Sequence, residues 1–192
     1  MKKRFISAAI TMFCGVELVA VLLHAVVFER GFNPSWSISR YMGLEYWSAI
    51  LFAIANFIVI FFMLKYLLGV RREYKLSVFW LIGVIVMIVA YFGLSCCPLG
   101  LFDKAWGEYG TVSSLHHIFS HTLFVSMIVI AVDTLIEVHK GRPFMIYGVL
   151  MLVFAAFCSW GYLSGWDFFK ANTFFFETGY ILANLVFYSL IQ

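Results

Sequence analysis

Charge is scarce in this chain. Asp, Glu, Lys and Arg together make up 12% of its 192 residues, where a soluble domain carries about 25%. A soluble surface cannot be built from so few charges, so a water-exposed globular domain is excluded. Proline is rare, with three in all. No stretch rich in Pro, Ser or Gly marks a linker, and no low-complexity segment or convincing internal repeat divides the chain. Residues 1–192 therefore read as one domain. The four cysteines are scattered. Cys14 and Cys158 fall inside apolar runs, where cysteine acts as a small hydrophobe. Cys96 and Cys97 are neighbours, and a bridge between them would be strained. Neither arrangement matches a zinc knuckle or a secreted disulfide framework. The formal net charge of +3 does not point to nucleic acid, because the basic residues stand in the loops.

Hydrophobic residues are what the chain has in excess. They account for 64% of it, phenylalanine alone for 22 positions, and mean hydropathy is +0.96. A spanning helix needs roughly 20 mostly apolar residues. Six stretches qualify: 5–27, 48–69, 76–97, 112–137, 143–165 and 173–191. The expected architecture is an all-α integral membrane protein, a bundle of six transmembrane helices. The first stretch follows Lys2, Lys3 and Arg4 and invites comparison with a signal peptide. It is too long for one, Glu17 interrupts it, and no small-x-small site follows, so a retained first span is expected.

Basic residues set the orientation. One side of the six spans collects Lys2, Lys3, Arg4, Lys65, Arg71, Arg72, Lys75, Lys140 and Arg142, the other only Arg30, Arg40, Lys104 and Lys170. Both termini are thus expected in the cytoplasm, and in a bacterium the protein belongs in the inner membrane. The outward loops are long and aromatic. Residues 28–47 carry the turn signal Asn33-Pro34 with Trp36, Tyr41, Tyr46 and Trp47. Residues 98–111 and 165–172 have a similar makeup. These aromatics read as anchors at headgroup level, and the three loops together as a cap lying on the bilayer.

Ionisable groups inside a bilayer are costly without partners, so the polar residues of the spans are the candidate site. Glu17 and His24 are seven residues apart, about 20° around an α-helix. His117 and His121 are one turn apart on the fourth span, flanked by Ser113 and Ser120. His116 points about 100° away and is expected at the interface. On the last span Glu177, Tyr180, Asn184 and Tyr188 form a stripe. His24, His117, His121 and Glu177 share an outer-leaflet level on three spans, where they would converge on one pocket closed by Arg40 and Asp103. Asp133 and Glu137 read as interfacial groups near Lys140 and Arg142. Gly161 and Gly165 form a GxxxG, which can mark close helix packing.

Several chemistries fit such a pocket. It can bind a lipid headgroup or a small molecule. Two histidines at i and i+4 can also chelate one metal. His24, His117, His121 and Glu177 would give zinc its four ligands, with Glu17 or Asp103 as general base, in a membrane-embedded hydrolase of lipid amides or esters. Haem between His24 and His117 or His121 is a further alternative. The plainest reading makes these groups hydrogen-bonded packing elements of a subunit in a membrane complex or homo-oligomer. Membrane lipids are the expected partners throughout.

The stretches SISRYMG, CPLGLFD and SLHHIFSH, placed before the second span, after the third and at the start of the fourth, carry a resemblance. The chain resembles the bacterial membrane family known as domain of unknown function 998. That family is similar in layout to the group that includes the damage-regulated autophagy modulators. The resemblance implies a six-helix membrane protein with polar residues at Ser37, Ser39 and Arg40 and a histidine at His117. It implies no established activity.

Overall fold

The computed structural model describes residues 2–26, 31–43, 45–97 and 111–191, and every regular element among them is a helix. α1 (Lys2–Met12) runs into a π-helical segment (Phe13–Leu18) and continues as α2 (Val19–Val26). The short α3 (Ile38–Met42) precedes α4 (Tyr46–Tyr74) and α5 (Val78–Cys96). Then come α6 (Thr111–Glu137), α7 (Arg142–Leu163), the short α8 (Asp167–Ala171) and α9 (Thr173–Ser189).

Local chemistry explains the boundaries. α4 has no proline or glycine before its last turns and is 29 residues long, about 43 Å at 1.5 Å per residue. It ends where Lys75 takes a left-handed conformation, φ 54°, and donates its N–H to the Arg71 carbonyl. Ser77 then caps α5, its hydroxyl accepting the Trp80 N–H and satisfying one of the amides that a helix start leaves without an internal partner. Pro143 stands in the first turn of α7, where its missing N–H costs no helical bond.

Among the described residues, four helices are long and apolar enough to cross a membrane: Tyr46–Tyr74, Val78–Cys96, Ser114–Glu137 and Arg142–Leu163. Their outward faces are as apolar as their buried ones, with Ile54, Phe61, Ile85, Phe92, Val125 and Val153 all exposed. A helix apolar all round belongs inside a large core or a bilayer. The expected first and last spans differ from these four. The first is divided by the π segment, and α9 has 17 residues.

The helices pack as a closed circuit. α6 lies along α5, α5 against α4, α4 against α1, α1 against α9, α9 against α7, and α7 back against α6. The interior holds Phe13, Tyr66, Trp80, Met87, Leu123 and Tyr188, all fully buried. Its polar tips reach across helices. Tyr66 donates to the Tyr188 carbonyl, Tyr180 to Phe124 at 2.9 Å, Tyr147 to Ala183 at 3.0 Å, and the Trp80 indole to Thr134 at 2.9 Å. Buried hydroxyls and indoles need such partners. α3 lies over one end of this circuit, against α2, the π segment, α4 and α9.

Candidate functional site

The segment 31–43 is held at that end by its own turn chemistry and by a ring cluster. The Asn33 side chain accepts the Ser35 N–H at 3.0 Å and the Ser35 hydroxyl at 2.7 Å. Tyr41 is fully buried. Its hydroxyl donates to the Asn33 carbonyl at 2.9 Å and accepts the Asn33 N–H at 2.6 Å, and burial raises that phenol above its usual range. Phe174 ties the segment to α9. Its N–H donates to the Pro34 carbonyl at 2.9 Å, and its ring meets Phe32 edge-on at 5.2 Å. Of the aromatics expected as anchors, Tyr41 is thus a core residue, while Tyr46 and Trp47 are exposed.

α3 carries the polar centre. Ser37 caps it, its hydroxyl accepting the Arg40 N–H at 3.2 Å. The Ser37 and Ser39 hydroxyls are 3.0 Å apart. Ser39 Oγ lies 3.2 Å from Nε2 of His116, and Nδ1 of His116 lies 2.6 Å from the Cys97 carbonyl oxygen. Both Ser39 and His116 are buried. From the other side Glu177, on α9, accepts the Ile38 N–H at 2.8 Å. A five-residue helix is too short to stand alone in water. This one is fixed by groups from α6 and α9 as well as by its own cap. Arg40 is exposed, its guanidinium carbon 5.1 Å from the centre of the Trp36 ring.

Of the four residues expected to converge, Glu177 is the one found here, and the histidine beside α3 is His116. α6 and α9 do reach a common point, through His116 and Glu177, and α3 is what they meet on. His117 and His121 are exposed, their rings 6.3 Å apart. His121 turns to Tyr162 on α7, ring centres 5.1 Å apart. His24 is fully buried and stacks on Trp47 at 5.2 Å. Among the described residues no three His, Cys, Asp or Glu side chains come together to hold a metal. The quartet of His24, His117, His121 and Glu177 does not assemble: His24 stacks on Trp47, Glu177 turns to α3, and His117 and His121 stay together on the exposed face of α6. Glu17 lies in the π segment. The wider turn there breaks the uniform spacing on which its shared face with His24 rests, and its side chain lies outside the described residues. Asp103 and the rest of 98–110 also lie outside them.

No family model, curated protein or solved structure matches this chain.

Other polar groups have structural neighbours of their own. Asn184 is buried and donates to the Tyr180 carbonyl at 2.9 Å, while its amide oxygen and both polar atoms of the buried Asn56 have no hydrogen-bond partner among the described residues. Asp133 and Glu137 are not merely interfacial. Glu137 accepts the Ser77 N–H at 2.9 Å and Asp133 the Ser77 hydroxyl at 3.3 Å, so they clamp the start of α5. Cys96 and Cys97 are free thiols, and burial raises that of Cys97 above its usual range. An open apolar groove of about 430 Å³ runs between α5 and α6, with Ile82, Val86, Val125 and Val129 in its walls and His121 among its few polar residues.

Residue spacing points His116 to the interface and gives Ser37 and Ser39 no role beyond the family resemblance. The missed signal is Ser37 itself. A serine followed three residues on by an amide that it can cap marks a helix start, and that start would have turned 38–42 from loop into an element with faces.

Proposed function

We propose that the chain is a six-span protein with both ends in the cytoplasm, and that its α3 end faces the outer leaflet, where Arg40 and Trp36 bind the phosphate of an anionic lipid headgroup or of a small phosphate ester. In a bacterial cell this is the inner membrane. The exposed Arg40 beside the Trp36 ring carries the reading. An arginine fork suits phosphate, and Trp is at home where one edge is apolar and the other wet. The same short helix is anchored on its buried side by His116 and Glu177, so Arg40 is presented from a fixed support. The apolar groove between α5 and α6 offers a place for an acyl chain.

Native mass spectrometry of the detergent-purified protein tests this. Phosphatidylglycerol adducts are expected to survive gentle activation, and Arg40→Ala to weaken them about 10- to 150-fold, as loss of a charge-assisted contact worth about 1.5–3 kcal/mol implies. Free glycerol phosphate is the second arm and separates a lipid site from a phosphate-ester site. Equal binding by Arg40→Ala in both arms would defeat the reading.

A second reading is an assembly subunit, possibilities for zinc or haem having no comparable support in the side-chain positions. It is favoured by the fact that His116 and Glu177 are both engaged in holding α3. It predicts that replacing them disturbs complex formation while Arg40→Ala does not disturb lipid binding.

A further inference from the structure

We propose that Ser39 and His116 form a nucleophile–base pair that cleaves an acyl ester. With His116 neutral, the direction of every proton in the cluster follows from its two ends. The Cys97 carbonyl can only accept, so at 2.6 Å the His116 Nδ1 carries the hydrogen. Nε2 is then the bare nitrogen and accepts, and the Ser39 hydroxyl 3.2 Å away is its donor. At the far end the Arg40 N–H can only donate, and it does so to Ser37 Oγ. The Ser37 hydroxyl, 3.0 Å from Ser39 Oγ, donates to it. The chain thus runs from Arg40 N–H through Ser37, Ser39 and His116 to Cys97. A serine bonded to a base whose other nitrogen is fixed by a third group is the arrangement that activates a hydroxyl, and the tautomer fixed here is the one that general base catalysis requires.

A docking role for the same cluster needs only that α3 be held. Two features exceed that need. The imidazole is oriented by a backbone carbonyl on another helix, and Ser39 is the one hydroxyl of α3 that meets it. The substrate class rests on the lipid reading above: an ester of an outer-leaflet phospholipid, its headgroup phosphate on Arg40. Ser39 is itself buried, so the proposal requires that a carbonyl enter past the half-buried Ser37 and the exposed Arg40.

The steps balance without a redox partner. Ser39 Oγ bonds to the ester carbonyl carbon while its proton passes to His116 Nε2. The bond from that carbon to the glycerol oxygen breaks, and the leaving oxygen takes the proton from Nε2. Water then attacks the acyl carbon, giving a proton to Nε2, and Ser39 Oγ leaves and regains it. The products are a free fatty acid and a lysophospholipid.

A fluorophosphonate probe on the detergent-purified full-length protein tests the pair. Expected is one adduct, located at Ser39 by peptide mass spectrometry. Labelling should be absent in Ser39→Ala and slowed at least 100-fold in His116→Gln, within the range that loss of a general base produces. His117→Gln, which leaves the pair intact, should label at the native rate. No adduct on a folded protein that still binds phosphatidylglycerol overturns the pair and leaves the lipid reading standing. An adduct at Ser39 on a protein whose lipid binding ignores Arg40→Ala supports the pair and removes the phospholipid as its substrate.

Discussion

Adjacent histidines on α6 respond differently to the same truncation. His116 is buried and bonded at both ring nitrogens, to Ser39 and to the Cys97 carbonyl. Removing it leaves the buried Ser39 hydroxyl and the half-buried Cys97 carbonyl each one partner short, at a cost of about 1–3 kcal/mol in all. His117 is exposed and lies beside the rings of His116 and His121. His116→Ala is therefore expected to lower the thermal midpoint of the purified protein in detergent clearly, and His117→Ala to leave it within the narrow range of ordinary surface changes. Equal midpoints would contradict the geometry around His116. The pair also shows what spacing encodes. The i, i+4 relation placed His117 and His121 together correctly, and the stripe on α9 is real, with Tyr180, Asn184 and Tyr188 all buried. Periodicity tells which residues share a face but not where the face points. On α9 the polar face turns inward; on α6 the face of His117 and His121 turns out, and the single residue about 100° away turns in.

At the scale of elements, a carboxylate from another helix holds each of two helix starts. Glu177 accepts the amide at the start of α3, and Glu137 the Ser77 amide just before α5. Helix starts leave amides without internal partners, and a negative group there is further favoured by the helix dipole where the helix is long. Glu177→Gln keeps an acceptor oxygen; Glu177→Leu does not. Limited proteolysis is expected to cut segment 31–43 faster in Glu177→Leu than in the native protein, with Glu177→Gln close to native. Identical cleavage in all three would show that the ring cluster alone docks α3. These tertiary caps were not legible in the sequence, because the partners lie 139 and 60 residues apart. The short helices were missed for a related reason: five residues do not complete two turns, so no period appears. The GxxxG pattern was legible as letters and misleading as structure. A Cβ on Gly161 would meet the Phe169 ring of α8 at 2.6 Å, and Gly165 takes a positive φ of 67° in the turn between. These glycines serve a local turn. The close approach of long helices is elsewhere, at Gly93, where a Cβ would meet Phe119 of α6 at 2.5 Å.

For the whole molecule, helix positions followed from hydropathy alone, since runs of apolar residues are long and the basic turns between them short. The number of spans needs more. α9 has 17 residues, about 25 Å, less than the roughly 30 Å of a hydrocarbon core, and α1 reaches α2 only through the π segment. The six-span proposal counts both, since α1 lies against α4 and α9 against α7, two of the long apolar helices. A polar backbone left beside them in lipid would be costly unless it too were helical, and both are. On that proposal the nine basic residues Lys2, Lys3, Arg4, Lys65, Arg71, Arg72, Lys75, Lys140 and Arg142 fall on one side against four on the other, and the excess of positive charge would put both ends in the cytoplasm. Green fluorescent protein fused at the C-terminus is then expected to fluoresce and alkaline phosphatase at the same point to be inactive, while phosphatase inserted after Ser35 is active. Cysteines placed at Ser35 and Asp167 should react with a membrane-impermeant maleimide in intact cells, and one at Glu73 only after permeabilisation. A C-terminal phosphatase as active as the one after Ser35 would remove one of the two shorter spans from the count and with it the assignment of a shared cytoplasmic side to both ends.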